Sequence, residues 1–236
     1  MGSNEKSVEG NIYSDKSSLI LDWILREGVK SQEFSLRKVA NEVGVSLGLV
    51  QRVFEILVLK GILQTEGVRT AKKFFPKNLK LLLESWLKQY SVVKKCKMRT
   101  YHSGFQDKTE LLEALKKSNL NKKVALALHS AADVHRCKNT NLNTLELYLL
   151  DPLVRQQLEK KLLLEPQEKG YEVLLIEPYY KSLLKSVYDA SQDINSSPPI
   201  LTFLDLYHFP LRGQEQAEFM AGRLPELKRI YKHGGS

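Results

Sequence analysis

Residues 36–59 read LRKVANEVGVSLGLVQRVFEILVL, and their spacing leaves few folds open. Counted from Leu36, the small residue Ala40 falls fifth and Gly44 ninth. A helix that stops at Gly44 uses the residue that takes a positive φ at least cost. Ser46 can then cap a second helix by accepting from its free N–H groups, and Ser35 can do the same for the first. Ala40 lets the two helices approach closely, while Val50 and Val53 fall where the second must pack back on the first. Motif, spacing and caps agree on a helix-turn-helix. The plain alternative is a helical hairpin buried in a core.

The next stretch weighs against that alternative. Gly61 ends the second helix, and ILQTEGVRTAKKFFP places two short apolar ends around Glu66-Gly67, which predicts a β-hairpin. Upstream, residues 16–29 carry Leu19, Ile20, Trp23 and Ile24 at helical spacing, and Phe34 stands between that helix and the motif. Support helix, second helix, recognition helix and wing follow in winged-helix order. Residues 1–15 are expected to be a loose tail.

Net charge is +9, which favours an anionic partner. Charge alone does not choose between DNA, RNA and a membrane surface; with a helix-turn-helix present, double-stranded DNA is the expected partner. The candidate contacts are Ser35 and Arg37 on the first helix, and Ser46, Leu47, Gly48, Gln51 and Arg52 at the start of the second. On the wing they are Arg69, Thr70, Lys72 and Lys73, suited to phosphate or the minor groove. The two cysteines, Cys96 and Cys137, form no CxxC pair and read as plain thiols in a reducing compartment. No apolar run is long enough to span a bilayer, and the polar start has no signal-peptide core, so a cytoplasmic protein is expected.

Residues 78–90, NLKLLLESWLKQY, form a helical stripe that Asn78 can cap, read as a connecting segment over 78–95. VVKKCKMRTYHSG alternates and predicts a basic strand, on which Lys94, Lys95, Lys97 and Arg99 either extend a DNA footprint or simply solvate a face. Beyond it, strand signals at 124–128, 145–150 and 171–176 alternate with helical ones at 108–119, 130–135 and 153–161. Residues 193–199 read as a polar loop. Residues 213–231 read as a helix interrupted at Gly222 and Pro225. The fold class is α+β: a winged helix over 16–77, then a mixed α/β domain over 96–236.

Enzyme templates find little. GxxxxGK[ST], GxSxG and HExxH are absent, and His129 and His135 are six residues apart. The segment LHSAADVHRCKNTNLNTLELYLLD has the layout of a nucleotidyltransferase, a small-residue turn, a helix and an apolar strand. The strand offers only Glu146, and one carboxylate cannot do two-metal chemistry. If this is that fold, it is a degenerate, catalytically empty copy. A hydrolytic set from His129, Ser130 and Asp133 is read more simply as an N-cap with a solvated acid. No catalytic residue, metal site or cofactor is expected.

Over residues 16–231 the chain resembles the AbiEi-like antitoxins and transcriptional regulators of type IV toxin–antitoxin systems. The likeness lies in LLLESWLKQY, ALALHSAADVH, LLIEPYYKSLL and ILTFLDLYHFPLRGQEQAEFM, in that order. Its most specific residues are Leu204, Asp205, Leu206, Arg212, Gly213, Glu215 and Ala217; His129 departs from the usual glycine-type turn. The resemblance implies a DNA-binding winged helix that represses its own operon, with a second domain tied to antitoxic activity or DNA contact. A cognate toxin, or that toxin's target, is a further candidate partner, and a weak homodimer a candidate assembly. The competing readings are a nucleotidyltransferase-like enzyme and a protein-interaction module, each with an accessory winged helix. Arg212 is expected to pair with Asp205 and clamp the last helix.

Overall fold

The computed structural model describes residues 11–68, 72–185, 188–189 and 193–231, and it comprises two compact units, 1–85 and 86–236. The first unit orders α1 (Asp15–Arg26), a 3-10 turn (Gly28–Lys30), α2 (Leu36–Val43), α3 (Leu47–Leu59), β1 (Leu63–Glu66) and β2 (Lys73–Pro76). The division falls inside α4 (Leu79–Gln89), where Asn78 Oδ1 accepts from Leu81 N–H at 3.0 Å.

The expected caps form. Ser35 Oγ accepts from Lys38 N–H at 3.2 Å, and Ser46 Oγ from Leu49 N–H at 3.3 Å. Gly44 ends α2 in the left-handed region at φ 68°. β1 and β2 pair antiparallel from Leu63↔Pro76 to Glu66↔Lys73, and the backbone of Phe34 exchanges hydrogen bonds with Phe74 at 3.0 and 2.9 Å. That bridge sets a chain of edge-on rings, Trp23, Phe34, Phe54 and Phe74, with centroids 5.3, 5.6 and 4.7 Å apart. Edge-to-face rings add to the stabilisation from their burial, so this chain locks α1, α3 and β2 together.

Two expectations change here. The helix begins at Asp15 and ends at Arg26, because Glu27 and Gly28 turn into the 3-10 segment. Residues 11–15 are no tail: Ile12 is 3% exposed and Tyr13 Oη donates to Ser85 Oγ at 2.8 Å. An apolar side chain and a satisfied hydroxyl anchor the start of α1.

The second unit runs through α5 (Val92–Lys95), β3 (Lys97–Ser103), α6 (Lys108–Lys117), β4 (Val124–Leu126), α7 (Leu128–Val134) and β5 (Leu145–Leu149). It continues with α8 (Arg155–Lys161), β6 (Leu164–Pro166), β7 (Val173–Glu177), β8 (Tyr188–Asp189) and β9 (Ile194–Ser196). Then come α9 (Pro199–Tyr207), α10 (Gly213–Arg223) and α11 (Pro225–Tyr231). Among the described residues a seven-stranded mixed sheet forms in the order β6-β3-β7-β5-β4-β9-β8. β5 lies parallel to β7 and antiparallel to β4 at its middle, buried on both faces. Leu145, Leu147 and Leu149 enter a core with Leu111 and Leu115 of α6 and Leu158 of α8. The alternate Tyr148 points the other way, its hydroxyl on Asp205 of α9.

The basic segment after Tyr90 is not one strand. Ser91 C=O accepts from both Lys94 and Lys95 N–H, at 3.1 and 3.0 Å, which winds residues 92–95 into a turn before β3 begins. The polar 193–199 stretch is not a loop throughout. Ile194–Ser196 lies inside the sheet, because Asn195 Nδ2 donates to Val124 O at 2.9 Å and satisfies its buried amide. Gly222 does not interrupt the last helix; α10 runs to Arg223, and extended Leu224 precedes Pro225 as that ring requires.

Candidate nucleic-acid interface

α3 divides its residues by its period. Val50, Val53, Phe54, Ile56 and Leu57 are buried, whereas Gln51, Arg52 and Glu55 are exposed and Leu47 is 43% exposed. Leu49, expected to be inward, is half-buried. Ser46 and Gly48 open the exposed face, and a Cβ at Gly48 would meet nothing within 4 Å. The start of α3 thus presents Leu47, Gly48, Gln51 and Arg52 side by side, with an empty place where a backbone could approach. Ser35 is spent on its own cap, and Arg37 is exposed two residues on.

The polar groups here are held by neighbours. Gln51 Nε2 donates to Glu55 Oε1 at 3.0 Å. On the hairpin, Lys73 Nζ sits 2.6 Å from Glu33 Oε1, and Lys72 Nζ lies 5.5 Å from the centre of the Phe74 ring. Lys38 lies 5.9 Å from the Trp23 ring. Arg69 and Thr70 lie outside the described residues. Glu33 and Glu55 were not singled out from the sequence; the first meets Lys73 only through the fold, although the Gln51–Glu55 spacing of four is readable.

In the second unit the candidate chemical residues are held in hydrogen bonds and ion pairs. Glu146 is fully buried. Its Oε2 accepts from Ser130 N–H at 2.9 Å and Ser130 Oγ at 2.5 Å; its Oε1 accepts from Thr144 Oγ1 and from Tyr171 Oη at 3.3 Å. Ser130 is therefore not an N-cap: Ala127 holds that place, and the serine side chain turns to the strand. His129 donates from Nε2 to Leu211 O at 2.8 Å, and burial pushes its pKa below the usual value. Asp133 is exposed, 3.6 Å from Lys138 Nζ and 4.0 Å from Lys108 Nζ. His129, Ser130 and Asp133 share no hydrogen bond among the described residues. No three His, Cys, Asp or Glu residues group as metal ligands there either.

A family model described as "AbiEi_2: Transcriptional regulator, AbiEi antitoxin, Type IV TA system" matches residues 77–224. The chain belongs to this family. No curated protein and no solved structure matches it. The AbiEi match starts in the approach to α4 and ends as α10 ends, so it takes in the whole sheet. It stops short of α1–β2, whose role rests on geometry.

Within the AbiEi segment the Arg212 expectation is corrected. Arg212 Nη2 and Nε bind Glu215 at 2.6 and 2.9 Å on the surface, one turn away. That pairing raises the Arg212 pKa and lowers that of Glu215. Asp205 is fully buried and accepts instead from Tyr90 and Tyr148, at 2.7 and 2.8 Å. Burial raises its pKa to about 7 against the lowering effect of those two donors. The clamp between α9 and α10 comes from Gly213, where a Cβ would stand 2.3 Å from Leu206 O. Lys94 and Lys95 line a cleft of about 400 Å³ with Lys88 and His208. Lys97 is 3.8 Å from Glu177, and Arg99 is exposed on β3.

Proposed function

We propose that residues 16–77 of this AbiEi-family chain form a winged helix that binds double-stranded operator DNA and represses the chain's own operon. The observation that carries it is the start of α3: a serine-capped helix end that exposes Gly48, Gln51 and Arg52 together. Recognition helices read base edges from their N-terminal residues. Gln51 offers adenine a two-pronged contact, and Arg52 offers one to guanine or holds phosphate. The hairpin carries Lys72 and Lys73 to neighbouring phosphates. The net charge of +9 favours the encounter.

The second unit acts without catalysis in this reading. Both oxygens of Glu146, the one carboxylate on β5, already accept two donors each, which leaves it poorly placed to hold Mg²⁺. A cognate toxin or its target is its partner, in the cytoplasm, and the chain associates no more than weakly with itself.

The test is a competition gel shift with duplex from upstream of the chain's own gene against random duplex. Specific binding about a thousandfold tighter is expected, within the ordinary range for such proteins. Equal affinity for both duplexes ends the operator reading. Nucleotide transfer from labelled nucleoside triphosphates with Mg²⁺, abolished by Glu146→Gln, ends the non-enzymatic one.

A further inference from the structure

A cleft of about 250 Å³ opens in the second unit among α6, α7, β4 and β9. Lys108, Lys116, Arg136 and Asp133 line it, so three cations face one carboxylate, a net of two positive charges. The carboxylate is partly answered from outside the cleft, by Lys138 at 3.6 Å. Among the described residues Lys116 and Arg136 make no ion pair, and the Arg136 backbone is left-handed at φ 56°.

Lys108 is the unusual member. Its side chain is 13% exposed, its nearest acid is 4.0 Å away, and no hydrogen bond reaches its Nζ among the described residues. Burial pushes its pKa below the usual lysine value. An ammonium with three donors is costly to hold half-buried without an acceptor. Glu146, the other carboxylate that raises it, already accepts from Ser130, Thr144 and Tyr171. An anion entering the cleft would supply the missing acceptor. Leu112 and Val134, both only partly buried, give the cleft its apolar surface.

We infer that this cleft binds a phosphate monoester of mononucleotide size, its phosphate between Lys108, Lys116 and Arg136 and its ring against Leu112 and Val134. The charge matches a dianion better than a singly charged phosphodiester. The volume lies just below the range of ordinary small-molecule sites, which favours one nucleotide over two. The same phosphate chemistry occurs free or at the 5′ end of a strand.

The experiment is titration calorimetry on the full chain. The probes are the four common ribonucleoside monophosphates, their nucleosides, inorganic phosphate, and short single strands with and without a 5′-phosphate. At least one monophosphate is expected to bind tenfold or more tighter than its nucleoside. Lys108→Met and Lys116→Gln should each weaken it at least fivefold. Lys116 is exposed, so that variant keeps the fold and guards against a loss caused by unfolding. A strand that binds only with its 5′-phosphate assigns the monoester to a strand end, and free monophosphate binding alone assigns it to a metabolite; both support the site. Absence of binding to every phosphate probe at 1 mM, equal binding of nucleoside and monophosphate, or no effect of Lys116→Gln overturns it.

Discussion

Ser130 gives Glu146 both its amide and its hydroxyl, at 2.9 and 2.5 Å on one carboxylate oxygen, and takes back the Glu146 N–H at 3.1 Å. The pair fixes α7 to β5 where a catalytic strand would offer its acid to a ligand. A backbone N–H cannot turn away, but the hydroxyls of Thr144 and Tyr171 on the other oxygen can. Glu146→Gln can therefore aim its carbonyl at Ser130 and its amide at the two hydroxyls, and should cost about 1 kcal/mol. Glu146→Leu takes the acceptor from the Ser130 N–H and from the Thr144 and Tyr171 hydroxyls, leaving the Ser130 hydroxyl only Thr144 O at 3.3 Å, and should cost about 3 kcal/mol. Thermal melts of both variants check the order; equal losses would mean that volume, not hydrogen bonding, sets the role of Glu146.

Asp205 predicts a pH dependence. Its pKa rises from 3.8 to about 7 because burial outweighs the donors Tyr90 and Tyr148. The folded state then holds a proton that the unfolded chain releases, so this contribution to stability is full below about pH 4. It is lost as pH climbs through about 7. Asp205→Asn keeps an acceptor for one tyrosine and a donor for the other, and does not ionise. Plotted against pH from 4 to 8, the difference in melting temperature between D205N and the parent should move in favour of D205N. A flat difference would show that Asp205 does not titrate in this range.

Two glycines predict opposite outcomes for the same change. A Cβ on Gly213 would stand 2.3 Å from Leu206 O and 2.7 Å from Phe209 Cβ, so backbone or core must move. Gly213→Ala should destabilise by about 3 kcal/mol, the upper part of the usual overpacking range. Gly48 has open space around it, and Gly48→Ala should stabilise α3 by up to about 1 kcal/mol. Any loss of DNA affinity in Gly48→Ala then reports the approach of a phosphate backbone, since the fold is not harmed. Heat denaturation separates the two, and a destabilised Gly48→Ala would contradict the open surface.

The sequence was most legible where local chemistry decides structure. Ser35, Gly44 and Ser46 each act within four residues of themselves, so caps and turn could be read directly. The apolar runs at β5 and β7 were legible because a strand buried on both faces leaves little else to choose. Reading failed where a distant partner overrides local pattern. Asn195 makes a strand out of a polar stretch by reaching Val124, and nothing near Asn195 announces that partner. Asp205 finds Tyr90 and Tyr148, 115 and 57 residues away in the chain, which no spacing from Arg212 could reveal. At the candidate interface the exposed residues of α3 followed from its period, but the Glu33 carboxylate on Lys73 did not.

That carboxylate gives the last prediction, which separates helix from hairpin. Lys73 Nζ is 2.6 Å from Glu33, and Gln51 is 3.0 Å from Glu55, so in the proposed complex both groups exchange a protein partner for DNA. Glu33→Gln removes a negative charge near a phosphate contact and frees Lys73. It should tighten operator and random duplex alike, by about threefold, the scale of a surface charge pair. Lys72→Ala with Lys73→Ala should weaken both duplexes and make the log–log salt slope shallower by about two. Gln51→Ala should cost about 1–3 kcal/mol on the operator alone and relax preference at one base pair. Competition binding at several salt concentrations reads all three. If Gln51→Ala weakens random duplex as much as operator, or if the lysine pair alters specificity and not the salt slope, the assignment of base reading to α3 and phosphate holding to the hairpin is wrong.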